Sequence, residues 1–317
     1  MCKRWVFLFG QRYESTRWVV SGLSEKLASV AFIMDAVQKA CWYTRSGSFR
    51  EESPEQTTQA LGDELGSRQG RILMYHSIGR FADDAVRIGT SPERFQAHMG
   101  YLKRRNLRGV SVRELRQAES LGNLRGLVGI TFDDGYADFL QMAVPVLEQL
   151  GFSATVFVVG GRLGEENDWA WDRGLKPRIK LLGAEDVREV SARGMEVGAH
   201  GLSHIPLAGL EPESLEEEVN LSRQVIGEAL GERVEGFSYP YGSLDDAALE
   251  AVRRAGYAYA CATPPRIEWQ PYALPRVPVA ENDNLPRFVT KLNFYREYRT
   301  AKDFYSRQFG ASVLPEA

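Results

Sequence analysis

The sequence predicts an α/β fold whose mostly parallel sheet closes, or nearly closes, into a barrel. Two observations carry this. From Arg71 onward, short apolar runs alternate with capped helical segments, the pattern of repeated strand–helix units. Six or seven such runs share the remaining chain, a number of strands suited to closure.

The elements follow in order. Residues 1–70 stand apart as an N-terminal extension. Leu23–Tyr43 reads as an amphipathic helix through Leu27, Val30, Ile33, Val37 and Ala40, and Ser46–Gly70 as a polar linker. Residues 71–317 form the main domain. Ile72–Tyr75 reads as a buried strand ending at His76. Ser91, with Pro92 at the first helical position, opens a helix to about Asn106. Ser111 and Glu114 make a capping box for the next helix. Gly126–Phe132 is a strand, Tyr136–Leu150 a helix and Thr155–Val159 a strand. Helix Glu185–Arg193 leads into strand Met195–Ala199, and helix Leu215–Leu230 into strand Val234–Tyr239. Ser243 is expected to cap Leu244–Ala255. Strands Tyr257–Thr263 and Leu274–Val279 and a helix from about Leu285 complete the chain.

Composition bounds the function. A net charge of -3 gives no reason to expect nucleic acid or an anionic membrane as partner. Cys2, Cys41 and Cys261 are too scattered for a disulfide framework or metal knuckle and read as unpaired thiols. No apolar stretch reaches the ~18–20 residues of a membrane span. Trp5–Phe9 is shorter than the ~7–15 residues of a signal-peptide core. The expectation is a cytoplasmic protein or one loosely held at a membrane.

Two short segments carry the chemistry. Thr131-Phe132-Asp133-Asp134-Gly135 and His200-Gly201-Leu202-Ser203-His204 each follow an apolar strand, and the second holds two of the chain's four histidines. At a strand end the two carboxylates need not point to opposite faces, and Gly135 permits a sharp turn. One can bind a metal while the other stays unligated; a plain Asp-Gly turn is the ordinary alternative. His200 and His204, four apart, fall on one face of a helical turn, although two surface histidines would read the same way. A carboxylate and two imidazoles leave room on a divalent ion for water and substrate. Such an ion acidifies water and polarises a carbonyl, which is the chemistry of metal-assisted hydrolysis. A third segment, Phe237–Gly242, ends a strand with Tyr239-Pro240-Tyr241. Its backbone N–H groups can face a developing oxyanion, or it is an ordinary turn. His76, Asp133, His200 and Tyr241 all fall where strands end, the active-site rim of a βα barrel.

These segments, in this order, resemble the polysaccharide deacetylases of the NodB-homology type, carbohydrate esterase family 4. Thr-Phe-Asp-Asp-Gly is present in full, and His-(Ser/Thr)-x-x-His is matched except that Gly201 replaces the hydroxyl residue. The resemblance runs from about Arg71 to Phe294 and implies a distorted (β/α) barrel of about seven strands. It implies Asp133 as catalytic base, Asp134, His200 and His204 as metal ligands, and the Tyr241 N–H as oxyanion donor. The third motif departs from the pattern, because Ser238 stands where the family often has the arginine that orients the base. Arg276 is the candidate to replace it, and a structural salt bridge the alternative. The late Leu-x-His motif is absent after His204. His76 offers the general acid instead, since Ile72–Ile78 looks like the first strand of poly-N-acetylglucosamine deacetylases, whose motif order is permuted.

Trp169 and Trp171, on a long loop, are candidates for stacking on sugar faces, with Tyr239 and Pro240 as further substrate contacts. Zn2+ is the expected metal, and Co2+, Ni2+ or Mn2+ suit the same ligands. The implied activity is removal of N-acetyl groups from an N-acetylated sugar or polysaccharide. The alternatives are an amide hydrolase acting on a lipid-linked sugar or small amide, and a carbohydrate-binding pseudoenzyme.

Overall fold

The computed structural model describes residues 71–81, 84, 88–169, 177–263 and 269–295. The 1–70 extension with its Leu23–Tyr43 helix, the loop residue Trp171 and the chain after 295 lie outside the described residues.

The strands are β1 (Arg71–Tyr75), β2 (Arg108–Val110), β3 (Leu127–Phe132), β4 (Thr155–Val158), β5 (Glu196–Ala199), β6 (Gly236–Ser238), β7 (Tyr259–Ala262), β8 (Leu274–Pro275) and β9 (Val277–Pro278). The helices are α1 (Pro92–Arg104), α2 (Val112–Ser120), α3 (Val144–Leu150), α4 (Ala184–Ala192), α5 (Pro212–Leu230), α6 (Asp246–Arg254) and α7 (285–295). These strands pair in parallel, in the order β8-β7-β6-β5-β4-β3-β1-β9. β8 and β9 are one short segment kinked at Arg276. Its first half pairs with β7 and its second with β1, so the sheet returns on itself as a nearly closed barrel. β2 takes the lower part of the β3 edge whose upper part holds β4.

Side chains from opposite strands fill the interior. Ile72, Phe157, Tyr259, Cys261 and Leu274 form one buried cluster with Val112 and Leu115 of α2, which plugs the N-terminal end. There the buried Glu196 carboxylate accepts from Thr155 Oγ1 at 2.6 Å, Tyr259 Oη at 2.8 Å and the Arg113 N–H at 2.9 Å. A Cβ at Gly198 would come within 2.5 Å of the Phe157 ring, so glycine in β5 makes room for that ring. Cys261 is buried and unpaired, and burial pushes its thiol up to about 12, so it is packing material. The other strand faces, including Leu73, Ile130, Phe132, Val156 and Val197, pack against the helices in the larger core.

Several local expectations shift. The helix expected over Tyr136–Leu150 divides at Pro145, which cannot donate to Gln141. Phe139–Ala143 form a π turn, with the Val144 N–H donating to the Phe139 carbonyl, before α3 begins. Asp245, rather than Ser243, caps α6 by accepting from the Ala248 N–H, while the Ser243 hydroxyl accepts from Ala208. Ser91 precedes α1, but its N–H and hydroxyl are taken by Glu281 instead of capping the helix. Ser111 does cap α2, accepting from the Glu114 N–H.

Candidate metal centre and active site

The parallel register assembles the site. Tyr75 pairs with Phe132, and the Asp133 N–H donates to the Tyr75 carbonyl at 3.0 Å, which sets His76 beside Asp133. Ala199 pairs with Phe237, which sets His200 beside Ser238; Ala262 pairs with Pro275, which delivers Arg276. His76, Asp133, His200 and Arg276 are thus each the residue that follows the last paired position of its strand.

Asp134, His200 and His204 offer ligand atoms that all lie within 4.8 Å of one another, and all three residues are buried. Asp134 Oδ1 is 3.4 Å from His200 Nε2 and 3.1 Å from His204 Nε2. His200 Nδ1 is 2.7 Å from the Ser238 carbonyl. A carbonyl only accepts, so Nδ1 carries the proton and Nε2 presents its lone pair to the cluster, as a metal ligand requires. Tyr136 Oη donates to Asp134 Oδ2 at 2.8 Å, which directs Oδ1 toward the imidazoles. Burial first, and then the Asp134 charge, push the Tyr136 phenol well above its ordinary value, so it stays a donor. The donor set therefore fits a divalent ion.

Two left-handed residues make this convergence possible. Asp134 has φ 71° and His204 φ 57°. That conformation costs a non-glycine residue on the order of 1–2 kcal/mol and persists only where surroundings enforce it. His200–His204 is a loop, not the helical turn that the four-residue spacing suggested. The imidazoles meet because the loop folds back, pinned by Gly160 N–H to the Gly201 carbonyl and Gly161 N–H to the Leu202 carbonyl. The Trp169 ring stacks on His204 with centroids 4.4 Å apart, and the Tyr241 ring lies tilted against it at 4.6 Å.

Asp133 belongs to a second cluster beside the first. Arg276, wholly buried, grips it in a fork: Nη1 to Oδ1 at 2.6 Å and Nη2 to Oδ2 at 2.7 Å. Arg276 also donates to Ser238 Oγ at 2.9 Å and Thr131 Oγ1 at 3.2 Å. Ser238, where the family often has arginine, thus leaves space that Arg276 enters from the barrel's closing segment. Burial alone would raise the Asp133 carboxyl. The charge and hydrogen bonds of Arg276 are the main influence that offsets it, and the carboxyl is held below its ordinary 3.8.

The remaining expected residues divide. His76 is partly exposed at the rim, and Tyr241, with φ 56° and 40% exposure, is the open aromatic wall of the site. Trp169, expected to stack on a sugar, is instead buried to 1% exposure against His204, where it supports an imidazole. Tyr239 is likewise buried with its hydroxyl donating to the Tyr272 carbonyl, and Pro240 is buried at the start of a short turn, so neither offers a substrate surface. Tyr136 and Asn167, which donates to the Tyr136 hydroxyl at 3.4 Å, were missed by sequence reasoning. Tyr136 directly after the Asp-Asp-Gly turn was the available signal.

Residues 123–260 match the polysaccharide deacetylase family model. YxkH of Bacillus subtilis (strain 168), assigned to the polysaccharide deacetylases, is 29% identical over 214 residues, covering 66% of this chain and 71% of its own. The poly-β-1,6-N-acetyl-D-glucosamine N-deacetylase of Staphylococcus aureus (strain MSSA476) is 21% identical over 225 residues, covering 66% of this chain and 75% of its own. The Streptococcus pyogenes deacetylase PplD, solved with acetate, shares the fold with a TM-score of 0.61 at 22% identity, over 71% of this chain and 98% of that one. Residues 123–260 are thus similar to the polysaccharide deacetylase domain, in a fold shared with a solved deacetylase.

Proposed function

We propose that this chain is a metal-dependent N-deacetylase of N-acetylated sugar chains of the poly-β-1,6-N-acetylglucosamine class, with its activity in residues 71–317. The observation that carries the reading is the division of the Asp133-Asp134 pair: Asp134 joins two imidazoles, while Asp133 stays outside them, ionised and clamped by Arg276. The similarity to an N-deacetylase of that polymer supports the substrate class.

Asp134, His200 and His204 would hold the ion, with Zn2+ the expected metal. A bound divalent ion supplies Lewis-acid polarisation of an amide carbonyl and acidifies a water molecule. Asp133, kept ionised by Arg276, takes the proton from the attacking water. The Tyr241 N–H donates to the oxygen of the tetrahedral intermediate. His76, across from Asp133, gives a proton to the amine as the carbon–nitrogen bond breaks, leaving acetate and a free amino sugar. The Arg276 guanidinium on Asp133 supports this reading over a carbohydrate-binding pseudoenzyme.

The test is acetate release from poly-β-1,6-N-acetylglucosamine oligomers of graded length by the zinc- or cobalt-loaded protein. Turnover that rises with length supports the polymer reading, and none on any oligomer overturns it. In His76→Ala the basic limb of the pH–rate profile should change; an unaltered limb removes His76 as the acid.

A further inference from the structure

Glu218 lies near the middle of α5 and ends the acidic run Glu216–Glu218. Glu216 and Glu217 are exposed, whereas Glu218 is buried to 5% exposure. Its Oε2 accepts from the Leu202 N–H at 2.9 Å and the Ser203 N–H at 3.0 Å. Those two amides immediately precede His204, the ligand whose backbone is left-handed. A carboxylate oxygen taking two successive N–H donors makes short charge-assisted bonds, stronger than neutral ones.

The loop lacks a side chain at the position next to His200. Position 201, where the family pattern has a hydroxyl residue, is glycine with φ 75°. A Cβ there would lie 3.2 Å from Glu218 Oε2 and 3.3 Å from Pro240 Cγ. The space beside the loop is thus already occupied by a carboxylate supplied from a helix.

We propose that Glu218 is a positioning residue for the metal clip, its carboxylate gripping the Leu202 and Ser203 amides so that His204 is held in ligating orientation. Glu218 touches no reacting atom and acts through the His200–His204 loop. The proposal rests on the reading of Asp134, His200 and His204 as a metal centre.

The experiment titrates Co2+ alone into the full-length protein and into Glu218→Ala, Glu218→Asp and Glu218→Gln. It follows the visible d–d bands and chelator competition, with hydrogen exchange of the Leu202 and Ser203 amides in the metal-free proteins. Glu218→Ala and Glu218→Asp, whose carboxylate is withdrawn by a methylene, should lose about ten- to a hundredfold in Co2+ affinity. Their band shape should change, and both amides should exchange faster. Glu218→Gln keeps a carbonyl acceptor and should recover most of the affinity and the native bands, which a requirement for charge alone would not allow. Should Glu218→Ala fail to fold, the contrast between Asp and Gln decides. Affinity within about twofold of wild type in Glu218→Asp, with native bands and native amide protection, overturns the proposal. Wild-type protein that takes up no Co2+ overturns the metal centre itself, whereas equal uptake by wild type and variants overturns only the role of Glu218.

Discussion

Asp133 and Asp134 are neighbours in sequence with different partners, and their surroundings divide them. Asp134 turns through a left-handed φ toward two imidazoles and Tyr136, whereas Asp133 is held in the Arg276 fork. Asp133→Asn should therefore keep metal content near wild type in elemental analysis while losing about a hundredfold or more in kcat, the contribution of a general base. His204→Ala should lose metal first. Arg276→Met leaves a buried carboxylate without its cation, so burial becomes the dominant influence and the Asp133 carboxyl rises. The base is then protonated at higher pH, and the acidic limb of the pH–rate profile should move up by about one pH unit or more. A limb that stays in place in Arg276→Met would show that Asp133 does not set it. The same substitution should cost stability of about 3–5 kcal/mol, because one partner of a buried pair is removed.

The junction of α1, β1 and α7 makes a separate, titratable demand on the fold. His98 on α1 is fully buried; its Nδ1 faces the Tyr75 hydroxyl at 3.1 Å and its Nε2 the Asp283 carbonyl at 2.7 Å. Its ring stacks on Phe288 of α7 at 4.0 Å. The carbonyl fixes the proton on Nε2, which leaves Nδ1 to accept from Tyr75, so the network suits a neutral imidazole. Burial is the main cause that lowers the His98 pKa from 6.5 to about 4. A histidine with a lowered folded pKa binds its proton better when unfolded, so stability falls as pH drops below 6.5 and levels off below about 4. At about 1.4 kcal/mol per pH unit the loss is on the order of 3 kcal/mol. Chemical denaturation across that window should show this slope, and His98→Gln, which does not titrate there, should flatten it.

The barrel as a whole gathers its chemistry at one rim and leaves the other to packing, with Glu196 and α2 closing the far end. A ligand bound at that rim bridges β3 to the loop after β5, so it should stabilise the folded state against the unfolded one. Metal at about a hundredfold over its dissociation constant adds about 2.7 kcal/mol. Stripping it with a chelator should lower the melting temperature by about 5–10 °C. A melting temperature indifferent to both chelator and added Zn2+ would count against the centre. Among the described residues no helix is long and apolar enough to cross a membrane.

Most of the fold was legible in the chain itself, because strand runs, Pro92, the Ser111 cap and the Asp-Asp-Gly turn each act over a few residues. The Glu114 half of the expected box does not form, since the Ser111 N–H donates to Ser153 Oγ instead. The meeting of Asp134 with His200 followed from parallel βα units, in which every strand ends at the same rim. What local sequence cannot encode is any contact whose partners lie far apart. The Asp133–Arg276 fork spans 143 positions, and only closure of the barrel through the kinked β8–β9 segment brings it together. The burial of Trp169 and Tyr239 was equally hidden, since an aromatic side chain on a loop reads the same whether it faces sugar or core. The spacing of His200 and His204 suggested convergence by the wrong means, a helical turn. The tertiary structure supplied the right one, a left-handed loop held by distant amides and carbonyls. Sequence determined which chemical groups this protein possesses and on which strand ends they stand. The folded barrel decided which of them touch, because directional hydrogen bonds and exclusion of water exist only once remote segments have packed.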